Sequence, residues 1–143
     1  MTKPTITYGV KTASTKLSDV KNGTAAGNGS KIFGIKIGVD YGSVKYRVHC
    51  GGRWLPPVTG NSWSDYNNGY AGDDKNAIDA IQIYYYSDSA KTDIYEAVYA
   101  VKPEGLGYLP EVHDTNWEKS DGDYTAGLFG KPITEIKIKL VEC

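Results

Sequence analysis

The chain has 143 residues, 40% of them apolar, enough for one domain with a buried core and too few to require a second. Sixteen basic against seventeen acidic residues give a formal charge of −1, which argues against a general electrostatic pull toward nucleic acid or anionic lipid. No stretch reaches the apolar length that spans a bilayer, and the opening "MTKPTITYGV" lacks the basic and apolar regions of a secretion signal.

Twelve Tyr, three Trp and seventeen Gly among many Thr, Val and Ile favour short strands joined by tight turns, so the expected class is all-β. The chain then repeats itself. Residues of about 5–40 carry four landmarks in order: a Tyr-x-Val strand (Tyr8, Val10), a Leu-to-Val step (Leu17, Val20), an Ala-Gly pair (Ala26, Gly27) and an Ile-rich strand (Ile32, Ile35, Ile37). Residues of about 44–87 repeat them as Tyr46 and Val48, Leu55 and Val58, Ala71 and Gly72, then Ile78, Ile81 and Ile83. In this last strand Ile81, Ile83 and Tyr85 recur every second residue, as one buried strand face requires. Residues of about 94–142 repeat them again as Tyr99 and Val101, Leu109 and Val112, Ala126 and Gly127, then Ile133, Ile136 and Ile138.

Steps between landmarks are 9, 16 and 7 residues in the second copy (46→55→71→78) and 10, 17 and 7 in the third (99→109→126→133). The first copy has steps of 9, 9 and 6 (8→17→26→32), a shortened middle loop. Single copies of this size cannot bury their apolar faces alone, so the three are expected to close around a pseudo-threefold axis as one domain over 1–143. A β-trefoil suits the repeat length and strand count; a β-prism of three small sheets is the alternative.

Shared positions report architecture, so function is sought where the copies differ, in the loops. The loop between the second and third landmarks reads "TGNSWSDYNNGY" (59–70) in the second copy and "HDTNWEKSDGDY" (113–124) in the third, each with a Trp seven residues before a Tyr. Aromatic faces among Asp and Asn side chains suit sugars, whose apolar ring face stacks while the hydroxyls need directed polar partners. The candidates are Trp63, Asp65, Asn67, Asn68 and Tyr70, then Trp117, Asp121, Asp123 and Tyr124. Trp54 beside Arg53, and Tyr108, form an equivalent pair just before Leu55 and Leu109. The structural alternative is that each Trp folds back over the barrel end, and that Tyr70 and Tyr124, next to Ala-Gly, belong to the scaffold.

His49 and His113 lie on different copies with no metal-ligand spacing, and alternation from Val48 turns His49 outward. The acids at 73–74 and 121–123 lack the ligand pattern of a calcium loop. Cys50 and Cys143 lack zinc-ligand spacing, and sequence alone does not assign them a bridge. No nucleophile-base pair or placed carboxylate pair is evident, so no catalytic residue, metal or cofactor is expected.

The segments "AGDDKNAIDAIQIYY" (71–85) and "AGLFGKPITEIKIKL" (126–140), preceded by Leu-Pro-x-Val, resemble the C-terminal wall-targeting repeats of phage lysins (endolysins) and autolysins of Firmicutes. They are also similar to the clostridial hydrophobic repeats, which join a Trp-containing strand, an Ala-Gly turn and an "E-A-I-x-I-x-L"-like strand. Where a Gly-Trp pair would stand, this chain has Arg53-Trp54, Gly107-Tyr108 and, in the first copy, Thr15-Lys16. The resemblance implies a non-catalytic, lectin-like module bound to a cell-wall or surface glycan, outside the cell or on its wall. The alternative from another class is a protein-interaction or oligomerisation module of a phage or surface assembly; oligomeric state is left open.

Overall fold

Apolar side chains at alternate positions give every long strand a buried inner face. The structure, a computed structural model, describes residues 4–86, 95–113 and 125–142. They form ten strands and, among the described residues, no helix: β1 (Ile6–Lys11), β2 (Val20–Lys21), β3 (Gly34–Val39), β4 (Ser43–Cys50), β5 (Arg53–Trp54), β6 (Ile78–Tyr86), β7 (Tyr95–Pro103), β8 (Val112–His113), β9 (Ala126–Gly127) and β10 (Ile133–Glu142). The protein is all-β, in three small antiparallel sheets ordered β2-β1-β3, β5-β4-β6-β9 and β10-β7-β8.

Each sheet is centred on one long antiparallel pair: β1 with β3, β4 with β6, β7 with β10. Ile6, Tyr8 and Val10 of β1, Val44, Tyr46, Val48 and Cys50 of β4, and Tyr95, Ala97, Tyr99 and Val101 of β7 face inward. All but Cys50 meet Ile35 and Ile37, Ile81 and Ile83, and Ile136 and Ile138 in one apolar cluster to which all three copies contribute. The Ile-x-x-Ile spacing has a physical reason in the ladder. In β6 the register shifts between the pairs His49↔Ala80 and Cys50↔Ile78, and in β10 between Glu135↔Lys102 and Ile133↔Pro103. One extra residue, Asp79 in β6 and Thr134 in β10, is accommodated as a bulge, which keeps both flanking isoleucines on the inner face.

The copies are stitched to one another at repeated positions. Ile37 N–H donates to the Tyr46 hydroxyl (3.1 Å), Ile83 N–H to that of Tyr99 (3.0 Å) and Ile138 N–H to that of Tyr8 (3.0 Å). The three bonds run from the first copy to the second, the second to the third, and the third back to the first. Tyr46 hands its own proton to the Gly60 carbonyl (2.6 Å), and Tyr8 donates to the Thr24 carbonyl. Burial pushes the titration of Tyr8 and Tyr46 upward, against the smaller opposing effect of the backbone N–H bonds, so both phenols stay protonated donors.

The Ala-Gly pairs are the second stitch. Ala71 exchanges both backbone bonds with Ile35 (2.8 and 3.0 Å), Ala26 does so with Ile136 (2.8 and 3.0 Å), and Ala126 pairs with Ile81. Each following glycine holds a positive φ, 139° at Gly72, 133° at Gly27 and 122° at Gly127. A Cβ there would run into the backbone of the neighbouring strand, at the carbonyls of Phe33, Thr134 and Asp79. Only glycine meets both demands.

Replacing Tyr46 by Phe leaves a buried N–H without its acceptor and the Gly60 carbonyl without its donor. Each of the Tyr8→Phe, Tyr46→Phe and Tyr99→Phe variants is expected to lose about 1–3 kcal/mol in urea unfolding. Losses below about 0.5 kcal/mol, the usual scatter of surface substitutions, would remove these hydroxyls from the stabilising framework.

Candidate functional site

The link from Leu55 to Val58 and the turn before Ala71 leave a groove between them. It has a volume of about 290 Å³ and is walled by residues 53–58 on one side and 66–73 on the other. Four sequence candidates meet in it: Arg53, Trp54, Asn67 and Tyr70. Tyr66, 56% exposed at the tip of the loop, and Asp73 line it as well.

The polar groups of the groove are held in place by the turn beneath it. Asp73 Oδ1 accepts from the N–H of Lys75 (3.0 Å) and Asn76 (2.9 Å), and its Oδ2 accepts from the Asn76 side-chain amide (2.9 Å). The Arg53 guanidinium reaches the same Oδ2 at 3.4 Å while remaining largely in solvent. Burial raises the Asp73 carboxyl, but these hydrogen bonds and the Arg53 charge outweigh it, and the net shift is downward. Tyr70 is 4% exposed, and its hydroxyl donates to Asp74 Oδ2 at 2.6 Å. Lys11 Nζ pairs with Asp74 Oδ1 at 2.5 Å and lies 3.9 Å from the Tyr70 ring centre. Asp74 too is shifted downward, its burial outweighed by the bonds from Lys11 and Tyr70.

Trp63, Asp65 and Asn68 serve the loop more than the groove. Trp63 is half-buried, 5.3 Å from the Tyr70 ring, with Lys11 and Lys36 ammonium groups at 5.2 and 5.6 Å from its centre. Asp65 caps the turn by accepting from the N–H of Asn67 (3.1 Å) and Asn68 (3.2 Å). The Asn68 side-chain oxygen accepts from Thr59 N–H at 2.8 Å. These contacts, with Gly60 N–H to the Asn68 carbonyl and Ser62 N–H to that of Gly69 (both 2.8 Å), fold the 59–70 loop back on itself.

In the third copy, the Tyr108 hydroxyl donates to Glu135 (2.9 Å) under the Lys137 ammonium, 4.2 Å from its ring centre. Burial, then the Glu135 acceptor, raise its titration. Trp117, Asp121, Asp123 and Tyr124 lie outside the described residues, as does Cys143. Cys50 faces the core, and burial foremost pushes its thiol up to about 11, so it stays a thiol.

A cluster that sequence reading missed borders the groove. His49 is on the outer face of β4, as alternation requires, yet only 8% exposed. It is covered by Phe129, stacked with ring centres 4.1 Å apart, and by Trp54, edge-on at 5.4 Å. The bulge residue Asp79 shares a 2.6 Å hydrogen bond with His49 Nδ1 and accepts from Gly130 N–H at 2.8 Å. Arg47 lies 4.6 Å from the Trp54 ring centre and bonds Gln82 at 2.7 Å. Periodicity exposes none of this, because Phe129 arrives from another copy. His113, by contrast, is exposed and bonds Glu96 at 2.5 Å. Among the described residues no three metal-ligating side chains converge.

The two depressed aspartates set a sign for acid stability. Their folded values lie below the ordinary carboxylate value of 3.8, so their contribution is full above that pH and is lost as pH falls through the folded values. Urea midpoints are expected to fall from pH 5 toward pH 2, and less steeply in Asp73→Asn. Equal slopes for variant and wild type would contradict the assignment.

No protein-family model, curated protein or solved structure matches the chain.

Proposed function

We propose that this protein is a non-catalytic, lectin-like module that binds a bacterial cell-wall or other surface glycan in the groove between residues 53–58 and 66–73. The observation that carries this reading is the meeting of Trp54 and Tyr66 with Arg53 and Asn67 around one open groove, with the buried Tyr70 in its wall. Aromatic surface supplies stacking for a sugar ring, and the guanidinium and amide supply directed partners for hydroxyls. Binding is favoured over turnover because the nearby carboxylates are committed: Asp73 to its turn and Arg53, Asp74 to Lys11 and Tyr70. The wall as target, and a role in anchoring a lysin or autolysin outside the cell, rest on the resemblance of the 71–85 and 126–140 segments to wall-targeting repeats.

The architecture that goes with this reading is three sheets around an approximate threefold axis, arranged as a prism in preference to a trefoil barrel. Supporting it are the three separate sheets and the cyclic Tyr-to-Ile bonds. A six-stranded barrel would carry a ladder between β3 and β4, where the Tyr46 hydroxyl instead takes the Ile37 N–H.

A second reading, a protein-interaction module, is favoured by Leu128 and Phe129, 44% and 63% exposed beside Trp54. One experiment separates the two. Retention on purified cell walls is expected to fall at least tenfold in Trp54→Ala and Tyr66→Ala and to survive in Phe129→Ser. Unchanged retention in the first two would reject the groove, and a stable oligomer in solution that Phe129→Ser dissociates would favour the second reading.

A further inference from the structure

The first copy, whose shortened loop gave no candidate in sequence, holds a second open cleft. It has a volume of about 480 Å³ and lies between the hairpin 11–16, Phe33 and Asp74. The hairpin is fixed by Thr12 N–H to the Thr15 carbonyl (2.8 Å), Leu17 N–H to the Val10 carbonyl (3.0 Å), and Thr15 N–H to the Thr12 hydroxyl oxygen (3.2 Å). Ser14, Thr15 and Lys16 are left exposed on it.

Comparison between copies explains why the cleft is open. Lys11 stands three residues after Tyr8, as His49 stands three after Tyr46. Lys16 precedes Leu17 as Trp54 precedes Leu55. Asp74 follows Ala71 by three, as Phe129 follows Ala126. On the sheet of β4 and β6 the space is filled by the His49, Trp54 and Phe129 rings. On the sheet of β1 and β3 the same three positions carry charged side chains, and two of them form the Lys11–Asp74 pair at 2.5 Å. What remains is a cleft with one aromatic wall, Phe33, an ion pair, and a rim of hydroxyls and a lysine, the same mixture that the first groove offers.

The two openings share a wall. Asp73 lines the groove and Asp74 the cleft, and consecutive Cα atoms lie about 3.8 Å apart. Tyr70 lines the groove while its hydroxyl bonds Asp74. We infer that groove and cleft are successive subsites for one extended polysaccharide, so the ligand is a stretch of polymer longer than either opening alone would hold. This rests on the glycan reading above and deepens it: the second subsite belongs to the first copy. Joining two weak contacts on one chain raises affinity without any new contact type.

Isothermal titration of the full chain with size-fractionated fragments of purified cell-wall polysaccharide tests this. Long fragments are expected to bind at least tenfold tighter than disaccharides. Phe33→Ala and the exposed Lys16→Ala are expected to reduce long-fragment affinity severalfold and to leave disaccharide affinity unchanged. If Phe33→Ala does not fold, Lys16→Ala carries the test. Equal affinity for both lengths, or long-fragment affinity unchanged in both variants yet lost in Trp54→Ala, would overturn the second subsite and leave the glycan reading standing. No binding of any fragment by the wild-type chain would overturn both.

Discussion

Three buried phenol hydroxyls hold this molecule together where its sheets meet. Between β3 and β4 only three residues, 40–42, intervene, a length that would suit a continuous hairpin. Instead Tyr46 turns its side chain into that seam, and its hydroxyl takes the Ile37 N–H and passes its own proton to Gly60. Tyr99 and Tyr8 accept the equivalent N–H groups of Ile83 and Ile138. A buried N–H must find a partner, and a tyrosine supplies one without a strand having to lie alongside. Three separate small sheets can therefore meet around one core to which each contributes isoleucine.

From that constraint the outer surface follows. Each Ala-Gly pair anchors one copy's middle segment on the last long strand of another, so the segments beside it are carried over a neighbour's sheet. Residues 59–74 come to rest beside β1 and β3, where Lys11 and Lys36 face Trp63. Phe129 comes to rest on His49 of β4. The three outer faces share a geometry and differ in chemistry: an ion pair and hydroxyls on one, stacked rings on another, Tyr108 with Glu135 and Lys137 on the third. Repetition fixes the frame, and divergence at a few outward positions decides whether a space is open or filled.

Much of this frame was legible in the sequence, because buried positions obey spacing. Tyr8, Tyr46 and Tyr99 were visible as landmarks, and the Ala-Gly pairs marked a turn where side chains do not fit. The three-residue step from Ile78 to Ile81 breaks the two-residue period of a strand, and the bulge at Asp79 is its structural cause. The groove was only partly legible. Arg53, Trp54, Asn67 and Tyr70 were singled out from two different loops, and only folding shows that they share one opening. Trp63 was singled out as a sugar-binding candidate, yet it is half-buried beside Tyr70 and the ammonium groups of Lys11 and Lys36, because an aromatic body gains from burial. Tyr66 gave no signal, since one tyrosine among twelve has no period to betray it. The His49–Phe129 stack joins residues from separate copies, which no local pattern records.

The measurement that bears most directly on the tyrosine-held frame is native-state hydrogen exchange, read at the backbone amides of Ile37, Ile83 and Ile138. The frame predicts that all three exchange only through global unfolding, with protection close to that of two other buried amides, Tyr46 N–H bonded to the Val58 carbonyl and Ile136 N–H bonded to that of Ala26. Rapid exchange at any one of the three, with these two reference amides still protected, would show that the seam at that tyrosine opens on its own and would contradict the account.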